Sequence, residues 1–389
     1  MRLLFVTSSL AHGGAERHTI TLANRLAQRG HECHFVFVKN RTAQLARIRL
    51  GARGSLHCLD ARRYFDPLAV FRFARTIRAI DPAVVVAAND YALLYSTLAL
   101  RLSAARAAMV VTYHATDLLG AKERLKMIVC RPLFWMADCA VFVCEYQRRR
   151  WFGRGVAARR NEVIYNGVDT EEFTDRAPPE ARAAARQALG LAGSDYVVGI
   201  TAALRPEKNH NQLVEAIARL RVRGIDARAV VIGDGPMRMA IEAHARRLGV
   251  AEHVKITGFE SDVRPYVLAC DTMALCSVSE ALSLAAIEGM ALGKPVVHSD
   301  VGGAGELIES GSNGFLFRVN DTDSFVECLA LLADGPLRER MGARARATVE
   351  QTFAITSMVD RYEHLLRELG TRRSVRSAGG ATVEQRRGS

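Results

Sequence analysis

The chain has 389 residues, 49% of them hydrophobic and 24% charged, with a formal net charge of +12. That length exceeds one small core and suits two domains of ordinary size. The apolar content excludes a collagen-like or disordered chain, and no stretch approaches the roughly 18 apolar residues of a membrane span.

The opening Met1-Arg2-Leu3-Leu4-Phe5-Val6-Thr7 is too short for the apolar core of a secretory signal and runs straight into a foldable pattern. Strands are predicted over residues 3–7, 33–38, 56–59, 84–87, 109–113, 140–143 and 163–165. Helices are predicted over 15–28, 67–80, 92–102 and 118–136. Asn166-Gly167-Val168-Asp169 reads as a turn and Pro178-Pro179 as a break. The alternation then restarts, with strands at 197–202, 229–232, 254–257, 272–275, 295–298 and 315–317. Helices at 211–223, 237–248, 284–292 and 322–332 lie between them, and a last one covers 354–369.

Continuous apolar strands alternating with helices imply parallel sheets covered on both faces. The fold class is therefore α/β, with two doubly wound Rossmann-like domains facing a cleft. The expected divisions are 1–178, 179–352, a helix over 353–370 that returns to the first domain, and a disordered basic tail over 371–389.

Charge is uneven. Residues 1–178 hold 27 Lys/Arg and 15 Asp/Glu, residues 179–370 hold 21 and 25, and residues 371–389 hold 5 and 1. A positive first half suits an anionic membrane, a lipid-diphosphate acceptor or nucleic acid. No helix-turn-helix, zinc or RNA-recognition signature accompanies it, so nucleic acid is not expected. The eight cysteines form no CxxC pair and read as reduced, mostly buried thiols of a cytoplasmic protein.

The densest chemical signal runs from Ser279 to Val297. Ser283 can cap a helix that Gly293 ends, which leaves Glu280 in the loop after the strand at 272–275 and Glu288 inside the helix. Two carboxylates at the carboxyl edge of a parallel sheet suit a polyol, because each accepts several hydroxyl donors. A lone Glu288 would ordinarily face solvent, but its companions argue otherwise. Gly302-Gly303, ahead of Glu306, lets backbone N–H groups approach an anion at a helix start. Arg205 and Lys208, after the strand at 197–202, aim two cations at the same edge, as a diphosphate needs. Gly233-Asp234-Gly235 is not a dinucleotide fingerprint, since Arg238 stands where a third glycine would fall. In the first half, Gly13-Gly14 opens a helix after the strand at 3–7, again without GxGxxG. His114 ends the strand at 109–113 and is expected to face the cleft.

At these residues the chain resembles the retaining glycosyltransferases of family 4, which have the two-domain GT-B fold. The resemblance covers roughly residues 1–370. It rests on an E-x7-E pair, Glu280 and Glu288, and the Gly293-Lys294-Pro295-Val296-Val297 segment after it. Gly13 to Glu16, Tyr165 to Asp169, Arg205 to Lys208, Gly233 to Pro236, Thr257-Gly258-Phe259 and Gly302-Gly303 fall in the family's order. The resemblance implies transfer of a sugar from a nucleotide-diphosphate donor with retained configuration. It implies that Glu280 contacts the donor sugar and Glu288 the ribose. Arg205 and Lys208 would neutralise the diphosphate, Gly13 and Gly14 would allow close approach, and His114 would sit beside the sugar. Gly233, Gly235, Phe259, Gly302, Gly303 and Glu306 complete the expected donor pocket.

The family usually has Gly-Phe-Pro after the first Glu, where this chain has Ala281-Leu282-Ser283, and commonly Glu-Ala-Met-Ala at the second, where it has Glu288-Gly289-Met290-Ala291. No metal and no cofactor are expected, the nucleotide sugar being a substrate. The triplet Asp321-Thr322-Asp323 has the spacing of metal-dependent glycosyltransferases of the other major fold, but it precedes a helix and reads as an N-cap. From the family's habits, UDP-sugar is the first donor expected and GDP-mannose the second. A glycan or lipid-linked acceptor in cell-surface polysaccharide or glycolipid synthesis is expected. So is peripheral contact with an anionic membrane at its inner face. Residues 118–136, with Leu118, Leu119, Leu125, Met127, Ile128, Phe134 and Trp135 among Lys122, Arg124, Lys126 and Arg131, carry that expectation, as do Arg148 to Phe152. An ordinary half-buried helix would read the same way. The alternatives are a nucleotide-sugar 2-epimerase and a non-catalytic nucleotide-sugar-binding protein.

Overall fold

The computed structural model describes residues 1–11, 13–114, 121–174 and 179–384. Contacts divide the chain into two compact units. Unit one holds Met1–Tyr165 and the chain from Met358 on, and unit two holds Asn166–Ser357.

Unit one contains β1 (Arg2–Thr7), α1 (Gly14–Gln28), β2 (Glu32–Phe37), β3 (Leu56–Cys58), α2 (Pro67–Ile80), β4 (Val84–Ala88) and α3 (Asn89–Ser103). It continues with β5 (Ala108–Tyr113), α4 (Ala121–Met136), β6 (Cys139–Phe142), α5 (Glu145–Phe152) and β7 (Arg160–Val163). The strands form one parallel sheet in the order β3-β2-β1-β4-β5-β6-β7. Phe5 is paired with Phe35 on one side and Val86 on the other, so the middle of the sheet is apolar across three strands. The α2 start combines two local devices: Pro67 presets the first turn and the Asp66 carboxylate accepts from the Ala69 N–H at 3.2 Å.

Unit two contains α6 (Pro179–Ala188), β8 (Tyr196–Thr201), α7 (His210–Val222), β9 (Ala227–Ile232), α8 (Arg238–Arg247), β10 (Val254–Gly258), α9 (Arg264–Ala269) and β11 (Thr272–Leu275). After these come α10 (Leu284–Ala291), β12 (Val296–Ser299), α11 (Ala304–Leu307), β13 (Gly314–Phe317), α12 (Thr322–Leu331) and α13 (Gly335–Thr352), and α14 (Ile355–Glu384) begins in unit two and passes into unit one at Met358. Its parallel sheet runs β10-β9-β8-β11-β12-β13. Phe317 and Phe325 stack at 4.6 Å in its core. Two Rossmann-like α/β units are thus present, as the alternation predicts.

Several boundaries differ from expectation. The division falls at 165/166 rather than 178/179, because the turn segment is tied into unit two. The Val168 N–H donates to the Phe353 carbonyl at 2.9 Å and the Ile355 N–H to the Val168 carbonyl at 2.8 Å. Arg346 adds bonds to the carbonyls of Thr170 and Phe173. The expected strand at 163–165 is displaced to Arg160–Val163, a half-exposed edge strand whose charged residues hide its period. Helices α5, α6, α9 and α13 were not expected. Prolines stand at or near the start of three of them, where a missing N–H costs nothing.

From Met358 on, α14 packs with unit one. Arg29 meets Glu363 at 2.7 Å and Asp360 at 2.6 Å, and His31 reaches Glu363 at 2.9 Å. Those bonds hold the Glu363 acid down at about 2, with the His31 bond the larger cause. Tyr362, Leu365 and Leu366 bury their side chains beneath them, each contributing roughly 1.5–3 kcal/mol. The helix also runs on to Glu384, past residue 370 where a disordered tail was expected, because extending a helix costs far less than nucleating one. Residues 385–389 of that tail lie outside the described residues, as do Leu118, Leu119 and the Pro178 break.

Candidate active site

In unit two every strand is parallel, so the loops after β8, β9, β10, β11 and β12 leave the same edge of one sheet. They carry Arg205 and Lys208, Gly233 and Gly235, Phe259, Glu280, and Gly302 and Gly303, respectively. Backbone bonds tie neighbouring loops together. The Leu204 N–H donates to the Asp234 carbonyl at 3.0 Å, the Val278 N–H to Glu207 at 2.9 Å, and the Gly303 N–H to Ala281 at 2.7 Å.

Two of these approaches are so close that only glycine fits. A Cβ on Gly302 would lie 1.9 Å from the Glu280 carbonyl oxygen, and the residue's φ of +60° is itself unfavourable for a side chain. A Cβ on Gly233 would lie 2.0 Å from the Ala202 carbonyl oxygen. The glycine pairs therefore set the height of the Glu280 and Arg205 loops.

The sequence reading places Lys208 and Glu280 on one edge, and the structure joins them in a salt bridge. The Ser277 hydroxyl approaches the same carboxylate at 3.4 Å. Arg205 stands beside this pair with its side chain 56% exposed and Glu207 3.9 Å away. Its guanidinium is thus presented outward from the loop. Glu288 is buried at 3% exposure on α10, which settles it against the solvent-facing alternative. Ser283 caps that helix by accepting from the Ala286 N–H at 3.3 Å. Gly289, a departure from the family pattern, is explained by Met273: a Cβ there would meet the Met273 Cγ at 2.8 Å. Glu306 is half-buried on α11 and Phe259 is 55% exposed.

Two histidines on this edge were not singled out from sequence. His298, the third residue of β12, is buried, and its Nδ1 lies 2.7 Å from the Ser299 carbonyl. Burial lowers its pKa, with Glu280 opposing. His210 opens α7, and burial together with Lys208 pushes it down to about 4. His298 lies near the carboxyl end of a strand and His210 opens a helix after one of the loops named above, and that position is the signal that could have found them.

In unit one, His114 follows β5 as expected, and its ring sits edge-on to His18 of α1 with centroids 4.8 Å apart. His18 in turn lies 5.6 Å from the Tyr362 ring. Burial pushes His18 down to about 4 and lowers His114 well below its ordinary value, with His18 adding to the second. Gly13 is the N-cap of α1, in extended backbone, and the Glu16 side chain folds back over it.

The family profile described as Glycosyl transferases group 1 matches residues 181–348, and the profile described as Glycosyltransferase Family 4 matches residues 12–172. The chain is 31% identical over 293 residues to the GDP-mannose-dependent alpha-(1-6)-phosphatidylinositol monomannoside mannosyltransferase of Mycolicibacterium smegmatis, covering 72% of this chain and 75% of that one. The chain belongs to glycosyltransferase family 4.

It is also 30% identical to the putative glycosyltransferase EpsD of Bacillus subtilis, over 58% of this chain and 60% of that relative. Among solved structures, Anabaena HepE in complex with UDP-glucose superposes with a TM-score of 0.83 at 24% identity, covering 95% of this chain and all of that one. That likeness establishes the two-domain GT-B fold for this glycosyltransferase.

The acidic triplet does local work in this family 4 chain. Asp321 caps α12 by accepting from the Ser324 N–H at 3.0 Å, and Asp323 pairs with Arg219 at 2.5 Å. The residues read as a membrane-facing mixture divide in two. Met127, Phe134 and Trp151 are core residues, whereas Leu125, Ile128, Trp135 and Phe152 are exposed. Among the described residues no helix is long and apolar enough to cross a membrane.

Proposed function

We propose that this glycosyltransferase moves a sugar from a nucleotide-diphosphate donor to a glycan or lipid-linked acceptor with retention of anomeric configuration. The observation that carries the proposal is the cluster of Arg205, Lys208 and Glu280 on glycine-supported loops of one sheet edge. Cleaving the donor bond develops negative charge on the diphosphate. Arg205 and Lys208 would stabilise it where it grows, without reorganising solvent. Glu280, steadied by Lys208 and Ser277, would accept from sugar hydroxyls, and Glu288 would hold the ribose. For His114, Gly13 and Gly14 the proposed roles rest on the family resemblance. The leaving phosphate would help deprotonate the acceptor on the same face, and the reaction would need no metal.

UDP-sugar is the first donor proposed and GDP-mannose the second. HepE was crystallised with UDP-glucose, and the mycobacterial relative is GDP-mannose-dependent. Exposed Leu125, Ile128 and Trp135 on α4, with Leu68 and Phe71 on α2, support peripheral contact with an anionic membrane. Flotation with anionic vesicles at low salt tests that part, and absence of binding would overturn it. The transfer itself is tested by incubating the chain with nucleotide sugars, with and without acceptors, and reading nucleoside diphosphate release and the product's anomeric coupling by NMR. Acceptor-dependent release with the donor's configuration is expected. Donor isomerised without acceptor would show an epimerase instead.

A further inference from the structure

A cavity of about 660 Å³ opens at the opposite, amino edge of the unit-two sheet. Tyr196, the first residue of β8, lines it, together with Arg182 and Arg186 of α6, Asp271 ahead of β11, Lys294 ahead of β12 and Arg338 of α13. The six residues of β8 separate it from the loop that carries Arg205 by roughly 17 Å at about 3.3 Å per residue.

The charge in this cavity does not balance. Asp271 is buried, and its carboxylate takes Arg182 at 2.5 Å and Arg186 at 2.6 Å, with Arg338 3.7 Å away. Asp195, the other carboxylate in the lining, is held by Arg228 at 2.9 Å. Arg186 is also bonded to the carbonyls of Ala269, Ala192, Gly193 and Asp195, so it belongs to the frame. Arg338 donates to the carbonyls of Leu332 and Ala333 and lies over the Tyr196 ring. Lys294 is 9% exposed, and among the described residues its ammonium has one partner, the Leu268 carbonyl at 3.2 Å. Three guanidiniums therefore share the single carboxylate of Asp271, and among the described residues the Lys294 ammonium lines the same cavity with no carboxylate bonded to it. Arg186 and Lys294 are buried and Arg338 is partly so, and holding their like charges together is costly unless an anion joins them.

The ammonium registers that cost. Burial first, then Arg182, pushes Lys294 down to about 8; Arg186 adds to this, while Cys270 and Asp271 oppose it. The cavity is also much larger than a bare phosphate needs, and Leu268 and Ala333 line it beside the charges.

We propose that this cavity binds a soluble phosphomonoester, with its dianionic phosphate between Lys294, Arg182 and Arg338 and its organic group against Leu268 and Ala333. The site is separate from the donor edge and does not depend on the donor reading. Phosphate dianions suit it because guanidinium forks and an ammonium supply short, charge-assisted bonds to several oxygens at once.

The test is calorimetric titration of the full chain with glycerol 3-phosphate, and with glycerol as the uncharged control. Wild type and Arg205→Ala are expected to bind glycerol 3-phosphate alike, and each of Lys294→Met and Arg182→Gln to lose at least about tenfold in affinity. Should Lys294→Met fail to fold, Arg182→Gln, at a side chain 44% exposed, keeps the test open. No binding by wild type, equal binding of glycerol, or affinity lost in Arg205→Ala but kept in Lys294→Met would overturn the proposal. Lys294-dependent capture by vesicles of phosphatidate, without binding of glycerol 3-phosphate, would overturn the soluble class of ligand.

Discussion

Each unit presents a glycine pair after a strand at the carboxyl edge of a parallel sheet, and the two pairs look alike in sequence. Their surroundings differ. In unit two, Gly302 lies against the Glu280 carbonyl, and the edge carries a Lys208–Glu280 ion pair with Arg205 exposed beside it. In unit one, Gly13 faces the movable end of Glu16, and the edge is closed by two desolvated, uncharged histidines. The same motif thus serves a rigid, charged platform in one place and an open helix start beside an uncharged histidine floor in the other. The lesson is that a glycine pair reports close approach only where backbone, not a flexible side chain, lies opposite.

The sharpest way to break this contrast is to remove the exposed cation. Arg205→Ala is expected to lower kcat by about 100-fold in a product-release assay while leaving the Tm unchanged, since the side chain is bonded to little. Near-normal turnover would remove Arg205 from the charged platform. Next comes the glycine pair itself. Gly302→Ala forces a Cβ against backbone at positive φ and is expected to cost about 1–3 kcal/mol in urea unfolding, with a loss of activity. Gly13→Ala meets only the Glu16 carboxylate, in extended backbone, and should cost less than about 1 kcal/mol through the weaker cap. Equal costs would erase the distinction between the pairs.

How far these features can be read from sequence depends on the range of the forces behind them. The Ser283 and Asp321 caps were legible because a cap is a contact three residues long. That Lys208 and Glu280 share an edge was legible because parallel strands bring their loops to one side whatever their spacing, whereas the ion pair between them was not read from the sequence. The helix α6 was not, since Pro179 read as part of a break although it stands in a first turn, and α13, with Pro336 in its first turn, was not expected either. The environment of His114 was also hidden. His18 is 96 residues away from it in sequence and Tyr362 lies 248 residues on, and only the return of α14 to unit one brings the ring of Tyr362 against His18.

That histidine floor gives an effect of middle size. His18 has a folded pKa of about 4 against 6.5 ordinarily, so the unfolded chain binds its proton first. Its stabilising contribution is complete above pH 6.5 and is lost as pH falls toward 4. Wild type is expected to lose about 2 kcal/mol more than His18→Phe between pH 7 and pH 5, read by urea titration at both values. Identical pH slopes would contradict a desolvated His18. The smallest effect is at the acidic triplet. Asp321→Ala should cost about 1 kcal/mol of stability and leave turnover unaltered with or without added Mn²⁺, because the side chain caps α12. A large, metal-reversible loss of activity would return the triplet to the chemistry.

The most direct measurement is a crystal structure of the chain with a bound nucleoside diphosphate. The account predicts the diphosphate at the carboxyl edge of unit two, within hydrogen-bond reach of Arg205 and Lys208, with the ribose against Glu288. A diphosphate bound elsewhere, with that edge occupied only by water, would contradict it.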